Sequence, residues 1–255
     1  MKARLREEGA VLLVATQFLT RLPVPEGAWT PARMAATPRW YPAVGLLVGA
    51  IAGLAYWAGS WVFSPSLAAL VSTAVGILVT GCFHEDGFAD ACDGLGGGAT
   101  RERKLEIMRD SRLGTYGAAG LGLMLAAKVL SLGALPPLAV PPILVAGHAA
   151  SRASSVIVIA TSRYRRSAGT AKPIASGIGS RGLGIALATA ALPVAALGLW
   201  LPWAAVAGGC TGLALGHLLM RRAFERQLGG YTGDCLGAVQ QTSEIGFYLG
   251  VLACL

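Results

Sequence analysis

The chain has 255 residues, of which 54% are hydrophobic and only 13% are charged. Soluble domains carry about 25% charged residues, so the composition excludes a single soluble core, and it equally excludes a disulfide scaffold and a disordered chain. We therefore predict an integral membrane protein. Its net charge of +8 then concerns membrane orientation, because Lys and Arg set the sidedness of membrane spans, and no nucleic-acid partner is expected.

The apolar segments predict an all-α fold, a polytopic transmembrane helical bundle that forms a single domain over 1–255. The first run, 9–20, is too short to cross a membrane and is followed by Arg21-Leu22-Pro23, so we predict an interfacial or re-entrant helix there. Later stretches approach the roughly 20 apolar residues that a span needs. The seven predicted spans are 41–63, 66–83, 115–135, 142–161, 182–200, 203–220 and 235–255.

The basic residues lie on one side of this predicted bundle. All of the 21 Lys and Arg residues except Lys128 and Arg152 precede the first span or fall in the connections 84–114, 162–181 and 221–234. By the positive-inside rule these connections face the cytoplasm. The five cysteines include no C-x-x-C pair, so a zinc or iron–sulfur site is not expected.

The acidic residues are concentrated in one cytoplasmic segment, which reads H-E-D-G-F-A-D-A-C-D over 84–93. If the helix of the preceding span continues through it, Asp86, Asp90 and Asp93 share one face at positions i, i+4 and i+7. Such carboxylates repel one another, and a hard cation such as Mg²⁺ relieves that repulsion. We predict a Mg²⁺ site at the membrane edge, with His84 as a candidate base; a solvated acidic helix end is the alternative.

The segment that follows carries glycine and arginine. The glycine run 94–98 is typical of a helix end and lets the backbone approach a ligand closely. A short amphipathic surface helix is predicted within 101–112, and the arginines at its end are candidates to bind phosphate oxygens in a bidentate manner. The candidate substrate-binding residues of this segment are Gly96, Gly97, Arg109, Asp110 and Arg112.

A third group of polar residues lies at the start of the last span, where 229–234 reads G-G-Y-T-G-D. Asp234 is a candidate N-cap; alternatively, Asp234 and Thr232 serve a metal ion or a ribose. Glu244 lies deeper in the same span, where an ionisable residue is a functional hypothesis by default. Its candidate ion-pair partners are Lys128 and Arg152.

Four segments resemble the cobalamin synthase (adenosylcobinamide-GDP ribazoletransferase) family. They are Q-F-L-T-R-L-P-V-P at 17–25, H-E-D-G-F-A-D-A-C-D-G-L-G-G-G at 84–98, E-I-M-R-D-S-R-L-G-T-Y-G at 106–117 and G-G-Y-T-G-D-C-L-G-A at 229–238. The resemblance implies a multi-pass enzyme of the bacterial inner membrane that uses Mg²⁺. It implies that adenosylcobinamide-GDP is joined to α-ribazole or its 5′-phosphate with release of GMP, late in assembly of the cobalamin nucleotide loop.

The same resemblance implies roles for individual residues. Asp86, Asp90 and Asp93 would hold Mg²⁺, with Glu85 as a weaker ligand. Either Asp86 or His84 would accept the proton of the ribazole hydroxyl, and we favour the carboxylate. The residues expected to bind the substrates are Arg109, Arg112, Thr232 and Asp234. The lipid bilayer is the expected environment, with a homo-oligomer and other cobalamin-pathway enzymes as further expected partners.

Three other functions remain as alternatives at this point. CDP-alcohol phosphotransferases and polyprenyl transferases also place D-x-x-x-D acids around Mg²⁺ at a membrane edge. An ion-coupled transporter would use Glu244, Lys128 and Arg152 inside the bundle. The acids at one membrane face disfavour a transporter, because transporters bind their substrates near the midplane.

Overall fold

The protein was analysed as a computed structural model, which describes residues 2–25, 29–166, 172–176 and 178–255. Within these ranges the chain forms α-helices and short 3₁₀ turns, and the only extended pairing is one isolated bridge between Tyr164 and Tyr231. The all-α fold class is therefore confirmed. The helices are α1 (Lys2–Leu19), α2 (Pro31–Ala36), α3 (Tyr41–Gly59), α4 (Pro65–Thr80), α5 (Phe83–Gly97), α6 (Arg101–Ile107), α7 (Thr115–Ala134), α8 (Val140–Thr161), α9 (Ser180–Ala196), α10 (Trp203–Leu228) and α11 (Gly233–Ala253).

Long apolar helices confirm a polytopic membrane bundle. Five described segments are long and apolar enough to cross a membrane, and α4 with α5 forms a sixth if that bent pair is one span. The five are Pro31–Gly59, Thr115–Ala134, Pro137–Thr161, Ser180–Leu199 and Trp203–Leu228. The predicted count of seven is thus approximate. The stretch 66–83 belongs to the bent pair, and the stretch 235–255 is not among the five apolar segments.

The helix of the stretch 66–83 does not continue straight through the acidic motif as predicted. It ends at Gly81, and α5 begins at Phe83 with an axis bent by 91° from that of α4. Gly81 and Cys82 both adopt left-handed backbone angles, with φ of 64° and 61°. Glycine adopts that conformation without a steric penalty, and two such residues in succession redirect the chain. Consequently α5 runs nearly perpendicular to α4 and packs against α7 and α11.

The last predicted span forms α11, which packs inside the bundle against α5, α7, α8 and α10. Gln240, Gln241 and Glu244 make α11 more polar than the five spans, and all three side chains are buried. Glycines such as Gly212 of α10 and Gly246 of α11 face each other. Small residues of this kind let membrane helices approach closely. They allow α11 to pack at the centre of the bundle, in contact with four other helices.

Candidate active site

The acidic motif of α5 meets α11 at a crossing of two glycines. A Cβ atom on Gly87 would lie 3.1 Å from the Cα atom of Asp234, and a Cβ atom on Gly237 would lie 3.3 Å from the Cα atom of Gly87. Larger side chains at these two positions would separate the helices. The crossing therefore brings Asp86 and Asp90 of α5 beside Asp234 at the start of α11.

The N-cap of α11 is Thr232, so the capping alternative for Asp234 is wrong. The Thr232 hydroxyl oxygen accepts a hydrogen bond of 3.4 Å from the backbone N–H of Cys235. The same hydroxyl donates to a carboxylate oxygen of Asp234 at 3.3 Å. Since Thr232 caps the helix, the Asp234 side chain is free to face α5.

Arg166 completes this group, although its position in the sequence predicts only a cytoplasmic charge. The segment 163–165 pairs with Tyr231 through two backbone hydrogen bonds of 2.9 Å, which fixes Arg166 beside the start of α11. Its guanidinium donates to Asp234 at 2.6 Å and to the carbonyl oxygen of Met108 at 3.1 Å. In the sequence this segment stands out only by its charge, since residues 163–166 read R-Y-R-R.

Burial, with repulsion between neighbouring carboxylates, raises the pKa values of two acids in this site. Burial, followed by the charges of Asp234 and Asp86, raises the pKa of Asp90 to about 7. Burial also raises the pKa of Asp234, against the opposing effect of the Arg166 guanidinium. Charged groups that are partly buried near like charges favour protonation or a bound cation, so the cluster has the electrostatic character of a cation site.

A pocket of about 150 Å³ opens at this cluster. The ionisable side chains of Asp, Arg and His that line it are His84, Asp86, Arg152, Arg166 and Asp234. A smaller cavity of about 20 Å³ lies behind it, within the bundle, and shares His84 and Arg152 with it. The pocket is therefore lined by Asp86, Asp234 and Arg166, and a second arginine, Arg152, lines both the pocket and the interior cavity.

Asp93, the third acid of the predicted face, lies in another environment. Its carboxylate oxygens accept hydrogen bonds from the backbone N–H groups of Gly114 at 2.8 Å and Gly117 at 2.7 Å. These N–H groups belong to the start of α7, where a carboxylate is favoured by the helix dipole. The glycines of L-G-T-Y-G leave room for Asp93, because a Cβ atom at either position would collide with its carboxylate.

Glu85 also points away from Asp86 and Asp90. It is buried, and one carboxylate oxygen accepts a hydrogen bond of 2.9 Å from the side chain of Gln241 in α11. The side chain thus faces Gln241 in the interior of the bundle, whereas the neighbouring Asp86 is exposed. His84 is likewise buried and lines the pocket.

The predicted phosphate-binding residues of 109–112 lie at the surface. Arg112 pairs with Asp110 at 2.6 Å, and its side chain is 87% exposed; this pairing lowers the pKa of Asp110 to about 2. Arg109 is exposed as well. None of these three residues lines the pocket.

Gly96 and Gly97, which were predicted to let the backbone approach a ligand, have different surroundings. A Cβ atom on Gly96 would lie 2.7 Å from the ring of Tyr116, so this glycine packs against the start of α7. A Cβ atom on Gly97 would meet only Ile107 at 3.7 Å. Close packing between α5, α6 and α7 thus accounts for Gly96.

Inside the bundle, Glu244 forms the ion pair that its position predicts. Its carboxylate lies 2.8 Å from the Lys128 ammonium and 3.2 Å from Nδ1 of His148. Gln240 donates a further hydrogen bond to it at 2.6 Å. Lys128 is therefore confirmed as an ion-pair partner, whereas Arg152 instead donates to the carbonyl oxygen of His148 at 3.0 Å.

The donor chemistry of the rim suits Mg²⁺ better than a softer metal. Asp86, Asp90 and Asp234 offer hard carboxylate oxygens, which Mg²⁺ prefers, and Mg²⁺ usually completes its shell with water and substrate phosphates. In the described part of the chain no three His, Cys, Asp or Glu side chains are close enough together to hold a metal ion. A cation at these carboxylates would therefore need further ligands from water and substrate phosphates.

The fold is that of a multi-pass membrane protein, with carboxylates and arginine gathered at one pocket. Comparison with known families gives the particular group. Residues 11–252 match the cobalamin-5-phosphate synthase family, and the chain belongs to that family. It is accordingly a transferase.

Full-length relatives support this assignment. The chain is 44% identical to the adenosylcobinamide-GDP ribazoletransferase of Leptothrix cholodnii, over 98% of both chains. It is 41% identical to that of Shewanella frigidimarina, over 95% of this chain and 94% of the relative. It is 38% identical to that of Vibrio cholerae, over 100% and 98%. No solved structure shows significant similarity.

Proposed function

We propose that this protein transfers the adenosylcobinamide phosphate group from adenosylcobinamide-GDP to α-ribazole or its 5′-phosphate, giving adenosylcobalamin or its 5′-phosphate and GMP. One observation carries the proposal beyond family membership: Asp86 and Asp234 line a pocket with Arg166, and Asp90 lies close enough for their charges to act on it. A group of carboxylates beside an arginine is suited to a diphosphate and its cation.

We assign the cation to Asp86, Asp90 and Asp234. When bound there, Mg²⁺ would neutralise negative charge on the diphosphate oxygens of the donor. Asp93 is left out of this set because the start of α7 engages both of its carboxylate oxygens, and Glu85 because it is buried toward Gln241 and does not line the pocket. Asp93 instead positions α7 against α5.

In the proposed reaction the hydroxyl oxygen of the ribazole ribose bonds to the phosphorus that carries the cobinamide. The bond from that phosphorus to the bridging oxygen of the leaving GMP breaks. Arg166 stabilises the charge on the phosphate oxygens by donating N–H groups. The hydroxyl proton passes to Asp86, which is exposed; burial lowers the pKa of His84 well below its usual value and makes it a weak base.

We place the pocket at the cytoplasmic face of the bacterial inner membrane. The support is the charge distribution, because the connections that build the site also carry most of the Lys and Arg residues. The start of α11 and the bend before α5 lie together at this end. The bilayer and the two soluble substrates are the partners that this location requires.

A product assay tests the proposal. Purified protein in lipid nanodiscs receives adenosylcobinamide-GDP and α-ribazole 5′-phosphate, with and without Mg²⁺, and GMP and the corrinoid product are separated by chromatography. We expect Mg²⁺-dependent formation of both products in equal amounts. Asp90→Asn should abolish it, while Asp110→Asn, a surface acid outside the pocket, should not. Absence of conversion by folded protein would refute the proposed function.

A further inference from the structure

Arg152 is a buried arginine that contacts no carboxylate among the described residues. It lies in the middle of α8, is 2% exposed, and lines the pocket that carries Asp86 and Asp234. Its Nη1 atom lies 3.0 Å from the carbonyl oxygen and 3.1 Å from Nδ1 of His148. Its Nε atom is buried and has no hydrogen-bond partner among the described residues.

The nearest acids do not complete its coordination. In the described part of the chain no carboxylate lies within 4.0 Å of the Arg152 guanidinium, and Glu244 is in contact with Lys128 and His148 instead. A guanidinium buried in a membrane bundle is costly unless an anion or hydrogen-bond acceptors satisfy it. The charges of Glu85 and Glu244 act on Arg152 only from a distance, and its unpartnered Nε donor is therefore available to an anion that enters the pocket.

The pocket offers room for an anion beside Arg152. Asp86 and Asp234 line only the pocket, whereas Glu85 and Glu244 line only the interior cavity, where Lys128 lies with them. Arg152 and Arg166 are the two cationic side chains that line the pocket. The pocket volume of about 150 Å³ is about ten times the ~15 Å³ that one water requires, which is enough for a phosphate group.

We propose that Arg152, assisted by the imidazole of His84, forms an anion subsite that binds the terminal phosphate of a phosphorylated acceptor. This assignment rests on the proposed function, in which the rim acids and Arg166 already serve the diphosphate of the donor. The phosphate monoester of the acceptor is the remaining anion of that reaction. Arginine binds phosphate oxygens through paired N–H donors, and the subsite would make the enzyme prefer the phosphorylated acceptor.

Kinetics with two acceptors test the subsite. Wild-type protein, Arg152→Gln and Arg152→Lys are compared with α-ribazole 5′-phosphate and with unphosphorylated α-ribazole. We expect Arg152→Gln to lower kcat/KM about tenfold or more for the phosphorylated acceptor, to change it little for α-ribazole, and Arg152→Lys to recover part of the loss. Arg221→Gln, at a cytoplasmic arginine paired with Glu225, is the matched control and should keep the wild-type preference.

Other outcomes would overturn the assignment. An unchanged preference in folded Arg152→Gln removes Arg152 from acceptor binding. Equal losses with both acceptors, together with a raised KM for adenosylcobinamide-GDP, would mean that Arg152 binds phosphate oxygens of the donor.

A binding measurement separates failure of the subsite from failure of the proposed function. Ribose 5-phosphate is titrated into nanodisc-embedded protein by calorimetry, which requires no turnover. Binding by wild-type protein that weakens about tenfold or more in Arg152→Gln supports the subsite even if no GMP is released. Equal affinity in both proteins, or no binding to wild-type protein, overturns it.

Discussion

Gly87 lies directly against Asp234: a Cβ atom on Gly87 would stand 3.1 Å from the Cα atom of Asp234 and 3.2 Å from its carbonyl oxygen. These distances are too short for a side chain to enter without a shift of α5 or α11. The contact therefore sets the separation between the carboxylates of Asp86 and Asp90 on one helix and that of Asp234 on the other.

We expect Gly87→Ala to impair turnover through this contact. The added methyl group should displace α5 by a few tenths of an ångström, lower the free energy of unfolding by about 1–3 kcal/mol, and slow the reaction about tenfold to a hundredfold. Turnover in nanodiscs and thermal unfolding in detergent measure both effects. Gly76→Ala is the control, since nothing lies within 4 Å of its Cβ position. Equal behaviour of the two variants would show that the crossing tolerates extra volume.

The pH dependence of Mg²⁺ binding should follow Asp90. Because burial and the charges of Asp234 and Asp86 raise the pKa of Asp90 to about 7, protons compete with the cation near neutral pH. At subsaturating Mg²⁺, turnover should rise between about pH 6 and pH 8, and higher Mg²⁺ should shift the midpoint to lower pH. In Asp234→Asn one repelling charge is absent, so any residual Mg²⁺ binding should show a lower midpoint. A pH midpoint that does not change with Mg²⁺ concentration would contradict competition between protons and the cation at Asp90.

The same pKa predicts the stability of the protein without Mg²⁺. The ordinary pKa of an Asp side chain is 3.8 and that of Asp90 in the folded protein is about 7, so the folded state holds the proton more tightly than the unfolded state. Between these values the unfolded state binds fewer protons, and thermal stability should therefore fall as pH rises from about 4 to 7. Asp90→Asn should flatten that slope, as followed by thermal unfolding in detergent without divalent cations.

Asp93→Asn should affect stability more than Mg²⁺ affinity. The substitution removes the charge that accepts N–H groups from Gly114 and Gly117, and loss of such charge-assisted hydrogen bonds costs about 1–3 kcal/mol. Calorimetric Mg²⁺ affinity of the folded variant in the presence of donor substrate should remain close to wild type, whereas that of Asp90→Asn should be lost. A stable Asp93→Asn protein with no Mg²⁺ affinity would restore Asp93 to the metal ligands that the sequence motif implies.

Arg166 and Arg112 should differ sharply when each is replaced by alanine. Arg166 is bonded to Asp234 at the rim of the pocket, and its removal leaves that carboxylate without its cation, so we expect turnover to fall about a hundredfold. The Arg112 side chain is 87% exposed and pairs with Asp110 at the surface, where ion pairs contribute about 0–1 kcal/mol. Arg112→Ala should therefore retain turnover within about twofold. A large loss in Arg112→Ala would favour the phosphate role expected from sequence.

The local pattern of residues was sufficient to predict the class of protein and much of the helix content. Low charge and long apolar runs require a membrane bundle, and the helical spacing of Asp86 and Asp90 places both on one face of α5 wherever that helix points. The ion pair between Glu244 and Lys128 was also predictable, because a buried charge inside a span requires a partner.

Tertiary structure alone decided which polar residues meet. The left-handed pair Gly81 and Cys82 turns α5 across the bundle, and only then does Gly87 bring the acids of α5 to Asp234 in the last helix. Asp93 shares the helical spacing of the other acids, but it accepts N–H groups from α7. Helical periodicity relates residues only a few positions apart. Pairings between helices depend on how whole helices cross, and the residues that determine these crossings are spread over the packing surfaces of the entire bundle.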